Sequence, residues 1–206
     1  MIHLFASDYD GTLFKDHTIR ESDLEAIRKF RALGHKFGIV TGRSINSIRT
    51  EIDKHDIPVD FVSPEDEFSQ YDLLLDPMHF LMSKSYLEKI DNYVKNGGKL
   101  VGTYISGVVD ENDLAYMNEW PKELQEIYGL EPLETDVLYP GQSNLINFEG
   151  KEYPVYDYCE TLINCTGKVL ATYTTDFYQN IPAVVEHSHG AGKGYYLACR
   201  TDYSFL

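Results

Sequence analysis

The sequence has few cysteines and lacks a long apolar run. Its three cysteines, Cys159, Cys165 and Cys199, make an odd count without a C-x-x-C pair, so neither a disulfide framework nor a structural zinc site is expected. No apolar run approaches the roughly 20 residues that cross a bilayer, and acidic residues interrupt the start of the chain, where a signal peptide would be apolar. We therefore expect reduced thiols, no membrane partner and a cytoplasmic location.

Basic residues are also scarce. Lysine and arginine number 18 against 33 acidic residues, which gives a net charge of -15. Nucleic acids bind basic surfaces that release counterions, so a nucleic-acid partner is not expected. Residues 1–62 carry 10 acidic and 9 basic groups, whereas residues 63–206 carry 23 and 9, and only Tyr9 of the 16 tyrosines lies in the first part. Two compositional regimes therefore meet near the stretch HDIPVDFVSPEDEF.

The first regime alternates short apolar runs with amphipathic segments. It predicts a strand at 2–7, a helix at 21–34, a strand at 36–42, a helix at 43–56 and a strand at 58–63. In the first helix, Ser22 and Glu25 stand at capping-box spacing, and Gly34 follows the last turn as a stop. This strand–helix–strand order predicts a parallel sheet.

The second regime continues the alternation. It predicts a strand at 71–77, a helix within 83–98, a strand at 99–104 and a short helix within 119–129. Ser85 and Glu88 form the predicted capping box of the longer helix, and Leu87, Ile90 and Val94 are expected to face inward.

From about Val137 onward the sequence changes to tyrosine-rich and β-branched runs, and HGAGKG at 189–194 predicts a turn. These runs predict antiparallel strands beside a parallel core. The predicted fold is therefore a Rossmann-like three-layer α/β domain, mostly parallel, with antiparallel additions toward the C-terminus.

The most informative motif is DYDGT, which follows the first predicted strand. Ligands of open α/β sheets bind beyond the carboxyl ends of strands, and period-two spacing places the carboxylates of Asp8 and Asp10 on one side. Two adjacent carboxylates repel unless a cation lies with them, and hard oxygen ligands favour Mg²⁺. Gly11 permits a sharp turn that aims N–H groups at an anion, and Thr12 can cap this turn. A turn without catalytic function is the alternative.

DYDGTL together with IVTGR downstream resembles motifs one and two of the haloacid dehalogenase-like phosphatases, in particular their Cof-type branch. The resemblance implies that Asp8 is the nucleophile and that Asp10 is the general acid and base. It also implies phosphate binding by Gly11, Thr41 and Gly42, with Mg²⁺ held at Asp8 and Asp10. An aspartyl phosphate divides the displacement into two steps, and the metal neutralises the developing charge.

Other elements of these phosphatases have no counterpart. The late G-D-x-x-N-D motif is absent, and the acidic segments around Asp176 and Asp202 lack its glycine and second carboxylate. Lys99 and Lys168 lie outside any recognisable phosphate-binding motif. The resemblance is limited to about the first 60 residues, so ancestry does not establish activity.

The remainder resembles a different family. SPEDEFSQYDLLLDP, YVKNGGKLVGTYISGVVDENDLAY, YGLEPLETDVLYPG and LATYTTDFYQNIPAVVEHSHGAGKGYYLACRTD are similar to successive parts of the trimerisation domain of family 42 β-galactosidases, over about 57–206. In that family the catalytic glutamates lie on a TIM barrel, which this sequence does not contain. HDIPVDFV is compatible with either family and predicts the junction between them.

The resemblance also implies an α/β fold related to class I glutamine amidotransferases. Their cysteine nucleophile occupies a turn of the type G-x-C-x-G, and the corresponding TYISG here contains Ser106 but no cysteine. We interpret Ser106 as a polar turn residue. His187 and His189 could chelate a metal or lie exposed on one strand face, and the acidic residues of 110–113 are expected in a solvated loop.

The sequence thus predicts a single domain over 1–206, built from a phosphatase-like segment at 1–60 and a β-galactosidase trimerisation-like segment at 61–206. One expected function is a non-catalytic structural module that forms homo-oligomers and carries an incomplete Asp/Mg pocket. The alternative is a weak Mg²⁺-dependent phosphohydrolase that acts on small phosphate esters through Asp8 and Asp10. Glycosidase chemistry is not expected.

Overall fold

The structure is a computed structural model that describes residues 4–8, 13–15, 18–34, 36–40, 54, 62–116, 120–202 and 205. The chain divides into two compact units. The first comprises Met1–Ser63 with Leu206, and the second comprises Pro64–Phe205. This division lies close to the predicted junction at residues 60 and 61.

Among its described residues, the first unit contains a parallel strand pair, a short antiparallel strand pair and a helix. Its elements are β1 (Leu4–Asp8), β2 (Phe14–Lys15), β3 (Thr18–Ile19), α1 (Glu21–Ala32) and β4 (Lys36–Val40). β1 pairs with β4 in parallel, as the strand–helix–strand order predicts. The predicted helix at 43–56 and strand at 58–63 lie outside the described residues, apart from Lys54, Val62 and Ser63.

Helix α1 buries one apolar stripe that includes Leu24 and Ile27. The predicted capping box of Ser22 and Glu25 is wrong, because the helix begins at Glu21 and its N-cap is Arg20, which makes no side-chain cap. The predicted stop is confirmed, since Gly34 follows the helix with a φ of +82°.

In its described residues, the second unit has a mixed sheet of nine strands. Its strands are β5 (Leu73–Asp76), β6 (Lys99–Thr103), β7 (Glu131–Val137), β8 (Asn144–Phe148), β9 (Lys151–Ile163), β10 (Lys168–Tyr173), β11 (Pro182–His189), β12 (Gly192–Leu197) and β13 (Cys199–Thr201). They are arranged in the order β13-β9-β8-β10-β11-β12-β6-β5. The ninth strand, β7, is outside this order and pairs with β9, which also pairs with β8.

The α/β class is confirmed, but the mostly parallel sheet is not. Within the described part of the second unit, only the β5–β6 and β6–β12 pairs are parallel, and the other strand pairs are antiparallel. Two-residue turns connect β8 to β9 and β11 to β12, and such connections can join only antiparallel strands. Glu149 and Gly150 both have positive φ, which matches a tight hairpin turn, and Gly190 has a φ of +61° in the predicted 189–194 turn.

Two helices of the described part of this unit pack on the sheet. α2 (Lys84–Lys95) contacts β6 and β12, and α3 (Lys122–Tyr128) contacts β11, β12 and α2. The inward positions Leu87, Ile90 and Val94 are buried as predicted. Within the described residues, no helix has the length and apolar character needed to cross a membrane.

The N-terminus of α2 differs from the prediction. Ser83, not Ser85, is the N-cap, and its Oγ accepts a hydrogen bond from the Tyr86 N–H at 3.2 Å. Ser85 lies inside the first turn, where its hydroxyl is 3.0 Å from that of Ser83. The capping-box spacing of Ser85 and Glu88 is therefore coincidental.

Tyrosine supplies much of the core. Tyr128, Tyr173, Tyr178 and Tyr196 are all among the largest fully buried side chains. Burial of a phenol requires a hydrogen-bond acceptor, and the Tyr173 hydroxyl donates to the backbone oxygens of Glu160 and Ala198, each at 3.1 Å. These phenols bring polar groups into the sheet interior, next to the site described below.

Candidate functional site

The predicted phosphate site begins at the carboxyl ends of two neighbouring strands. Asp8 is the last residue of β1 and is paired with Val40, the last residue of β4. Asp10, Gly11, Thr41 and Gly42 lie outside the described residues. The roles predicted for these five positions, and the Mg²⁺ and phosphate binding predicted from them, therefore stay predictions.

A second site lies at the carboxyl ends of β5 and β6 in the second unit. These strands are parallel, and Asp76 at the end of β5 is paired with Gly102 near the end of β6. We call residues 77–82 the β5 loop and residues 104–109 the β6 loop. Both loops begin at the sheet edge where ligands of parallel sheets usually bind.

Asp76 ties the β5 loop to helix α2. Its Oδ1 lies 2.8 Å from Nδ1 of His79, and its Oδ2 accepts a hydrogen bond from the Tyr86 hydroxyl at 2.8 Å. Burial lowers the pKa of His79, but the hydrogen bond and the negative charge of Asp76 outweigh burial, so this pKa is raised. Burial and the same carboxylate raise the pKa of Tyr86, which remains a donor. Asp76 therefore holds two donors and fixes the start of the loop.

The β6 loop opens with a strained turn. Ile105 has a φ of +57°, in the left-handed region that β-branched residues rarely adopt. In TYISG it occupies the central position, where the G-x-C-x-G pattern has its nucleophile. The sequence analysis considered Ser106, one residue further on, for this position. When Gly107 is aligned with the last glycine of the pattern, the position of the nucleophile corresponds to Ile105. Isoleucine has neither a nucleophilic nor a titratable group.

A buried carboxylate supports this turn. Glu160 of β9 is only 3% exposed, and its Oε1 accepts a hydrogen bond from the Ile105 N–H at 2.8 Å. Its Oε2 accepts a hydrogen bond from the Tyr196 hydroxyl at 2.7 Å. Burial raises the pKa of Glu160, and these hydrogen bonds only partly oppose that effect. Sequence reasoning missed Glu160 because it lies 55 residues from Ile105 and belongs to no motif.

Ser106 connects the two loops through its hydroxyl. Its Oγ donates to the Thr103 carbonyl oxygen at 2.7 Å and accepts from the His79 N–H at 3.2 Å. Its own carbonyl oxygen accepts a hydrogen bond from Nε1 of Trp120 at 2.9 Å. A buried hydroxyl that donates to a backbone carbonyl is not activated by a base. The structure thus places Ser106 as a turn residue, in line with the interpretation from sequence.

The two histidines proposed as metal ligands have different partners. Nδ1 of His187 lies 3.2 Å from the Ile127 carbonyl oxygen, and Nε2 of His189 lies 2.7 Å from Oδ1 of Asp91. Asp91, Glu126 and His189 could together contribute three metal ligands. However, the Lys95 ammonium lies 2.7 Å from Asp91 and already balances this charge. This group is best described as an ion-pair cluster.

The cysteines are poor nucleophiles. All three are free, and Cys159 and Cys199 are buried opposite each other on β9 and β13. Burial raises the pKa of Cys159 to about 11 and also raises the pKa of Cys199 and Cys165. The thiolate is the reactive form, so these groups are unreactive at neutral pH.

Comparison with known proteins identifies two matching families. The family described as β-galactosidase trimerisation domain matches residues 43–206, and that described as haloacid dehalogenase-like hydrolase matches residues 5–64. The two matches overlap at 43–64, which includes the predicted junction HDIPVDFV.

Curated relatives of the chain include several β-galactosidases. β-Galactosidase GalA of Bacillus licheniformis is 43% identical over 152 residues, which are 74% of this chain and 23% of GalA. GanA of Bacillus subtilis gives the same identity and coverage. The chain thus spans about a quarter of the length of these curated relatives.

Solved structures give the same assignment. A catalytic mutant of Gan42B, a GH42 β-galactosidase from G. stearothermophilus, is 33% identical, and the alignment covers 100% of this chain and 28% of that one with a TM-score of 0.71. The β-galactosidase of Bacillus circulans sp. alkalophilus is 26% identical, with coverages of 99% and 29% and a TM-score of 0.69. Because the family match covers most of the sequence, the chain belongs to the β-galactosidase trimerisation domain family.

Proposed function

We propose that this chain is a non-catalytic oligomerisation domain of β-galactosidase type that associates with further copies of itself. The supporting observation is the turn after β6, in which the left-handed residue is Ile105, a residue without a reacting group, and its N–H donates to the buried carboxylate of Glu160. A left-handed residue after a strand is also typical of a catalytic elbow, but isoleucine lacks a reacting group. The name of the matching family supports the assembly part of the proposal.

Sedimentation velocity tests this proposal. From low to high micromolar concentration, we expect a concentration-dependent species with three times the 23.6 kDa mass of one chain. A chain that stays monomeric throughout this range contradicts the proposal. Ile105→Ala tests the statement that the turn is non-catalytic. Because isoleucine has no reacting group, this variant should leave any background rate of hydrolysis unchanged.

A phosphohydrolase activity of the first unit is the second candidate. The match to haloacid dehalogenase-like hydrolases over 5–64 and the adjacent carboxyl ends of β1 and β4 favour it. Carboxylate oxygens suit Mg²⁺, although two carboxylates fill only part of its octahedral shell, so substrate phosphate and water would complete it.

In this mechanism the Asp8 carboxylate attacks phosphorus while the ester oxygen leaves with a proton from Asp10. Asp10 then takes a proton from the water that attacks the aspartyl phosphate, which releases phosphate and restores Asp8. A panel of small phosphate esters with Mg²⁺ tests this, with Asp8→Asn as the variant and Asp23→Asn, on α1, as the matched control. Equal rates for the wild type and Asp8→Asn exclude the activity.

A further inference from the structure

Exposed apolar side chains are concentrated on the loops of the second site. Met78, Phe80 and Leu81 of the β5 loop and Val108 of the β6 loop are exposed, and so is Leu114, which follows shortly after. Large apolar groups that are exposed together, and not singly, mark interaction surfaces.

These side chains lie on three neighbouring backbone segments. The Val108 N–H donates to the Phe80 carbonyl oxygen at 2.9 Å, and Leu81 forms a parallel bridge with Val109. Val109 forms an antiparallel bridge with Ala115 on its other side, and the Asp110 N–H donates to the Leu114 carbonyl oxygen at 2.9 Å. The exposed groups therefore lie on adjacent, hydrogen-bonded backbone segments, and we call the surface of these segments the loop patch.

The loops are fixed before any partner binds. Further hydrogen bonds join them, from the Met78 N–H to Oγ1 of Thr103 and from the Gly107 N–H to the His79 carbonyl oxygen, each at 2.8 Å. The carboxylate of Asp76 binds His79 of the β5 loop, and the carboxylate of Glu160 binds the Ile105 N–H of the β6 loop. A preformed surface loses little conformational entropy on association, which favours binding.

The charge distribution identifies the partner. The β5 loop, PMHFLM, and the β6 loop, YISGVV, contain no Asp, Glu, Lys or Arg, although 25% of the chain is charged and its net charge is -15. Two copies of so acidic a chain repel each other wherever their charged surfaces meet. The two loops form the uncharged part of the loop patch, where copies can approach with the least repulsion, whereas Leu114 adjoins the acidic residues of 110–113.

The edge strand β7 provides a contrast. It also exposes large apolar side chains, Leu133 and Val137, but Glu131, Glu134 and Asp136 lie among them. Contact between two copies through β7 would bring these carboxylates together, so β7 is a poor contact surface for identical chains.

We propose that the loop patch is the surface through which copies of this chain contact one another. This inference rests on the proposed oligomerisation function and adds its location. The acidic residues at 110–113 border the patch and are expected to lie at the solvated rim of the contact, in keeping with the usual apolar core and polar rim of an interface.

Two leucines provide a matched test. Leu114 lies in the loop patch and is 63% exposed, whereas Leu133 lies on β7 and is 62% exposed. Sedimentation velocity of Leu114→Asp should show an association constant weakened at least about tenfold, because a charge is buried at the contact. Leu133→Asp should assemble like the wild type. Phe80→Asp is a second patch variant, and circular dichroism confirms that each variant is folded.

The outcomes separate the two proposals. Assembly that survives Leu114→Asp and Phe80→Asp but is lost in Leu133→Asp overturns the loop patch and leaves oligomerisation intact. Equal weakening by all three variants also overturns it. A wild type that is monomeric overturns the proposed function itself, even if it co-sediments with an intact family β-galactosidase.

Discussion

At the scale of single residues, Glu160 and Ile105 form a coupled pair. A left-handed backbone at a residue other than glycine costs of order 1–3 kcal/mol. The hydrogen bond from the Ile105 N–H to the Glu160 carboxylate offsets part of that cost, and the Tyr196 hydroxyl satisfies the second carboxylate oxygen. The turn is stable because the Ile105 N–H has an acceptor in the Glu160 carboxylate and this carboxylate is itself held by the Tyr196 hydroxyl.

Glu160 should make stability dependent on pH. Its folded-state pKa is raised from the ordinary value of 4.5, so the folded state binds more protons than the unfolded state as pH rises through this window. The free energy of unfolding should therefore fall from pH 4.5 upward until Glu160 is ionised in the folded state. Glu160→Gln should remove this part of the dependence, measured by urea unfolding at several pH values.

The control for this measurement is Glu152→Gln, which changes an exposed residue of the same strand. It should leave the pH dependence as in the wild type. If Glu160→Gln and Glu152→Gln give the same pH profile as the wild type, Glu160 is not the group responsible.

The sequence identified the turn after β6 but not the residues that form the site. Ile105 carries no chemistry that a motif search would select, and Glu160 reaches it only through the pairing of distant strands. By contrast, Ser106 was interpreted as a polar turn residue, and the hydrogen bonds of its hydroxyl to the backbone of Thr103 and His79 agree with this.

At the scale of elements, the N-terminus of α2 shows how a local pattern can mislead. Ser83 and Ser85 both precede the apolar stripe, and only Ser85 has a glutamate three residues later. The structure selects Ser83, whose extended backbone directs Oγ at the Tyr86 N–H. The position of the N-cap depends on the residue at which the helix begins, and tertiary packing determines that residue.

Replacing each serine by alanine tests the assignment. Ser83→Ala should lower the free energy of unfolding by about 1 kcal/mol, because the Tyr86 N–H loses its acceptor. Ser85→Ala, inside the first turn, should have less than half this effect. A larger loss in Ser85→Ala, measured by urea unfolding, would show that the cap is at Ser85 after all.

Element types were easier to predict than their pairing. The apolar spacing of α1 and α2 and the strand–turn–strand pattern at 182–197 all agree with the structure. The antiparallel direction predicted for the strands after about Val137 also agrees. The sheet as a whole is not mostly parallel as predicted, because strands that alternate with helices dominate the sequence only up to α3, whereas β8 and β9 and then β11 and β12 form hairpins. A two-residue connection is a short signal, yet it reverses the strand direction.

At the scale of the whole molecule, negative charge limits how copies associate. The net charge of -15 produces a repulsion that acts over roughly 10 Å at 0.1 M salt and is screened at higher ionic strength. Screening of the net charge by salt strengthens an apolar contact between such copies, whereas it weakens a contact that depends on ion pairs.

Salt should therefore strengthen self-association. Raising the NaCl concentration at constant protein concentration should shift the sedimentation distribution toward the larger species. Potassium chloride serves as the matched control for a specific sodium effect and should act equally. Dissociation at high salt would instead indicate an interface held by ion pairs, in conflict with a contact formed mainly by the two uncharged loops.

The parallel pairing of β6 with β12 has a consequence for synthesis of the chain. Lys99 is opposite Lys193, so β6 gains this neighbour only after almost the entire second unit has left the ribosome. Until then the edge of β6 that pairs with β12 in the folded protein is unpaired in the nascent chain. An unpaired strand edge can pair with a strand of another molecule. A product that terminates before Gly192, and therefore lacks β12, should consequently be recovered in inclusion bodies.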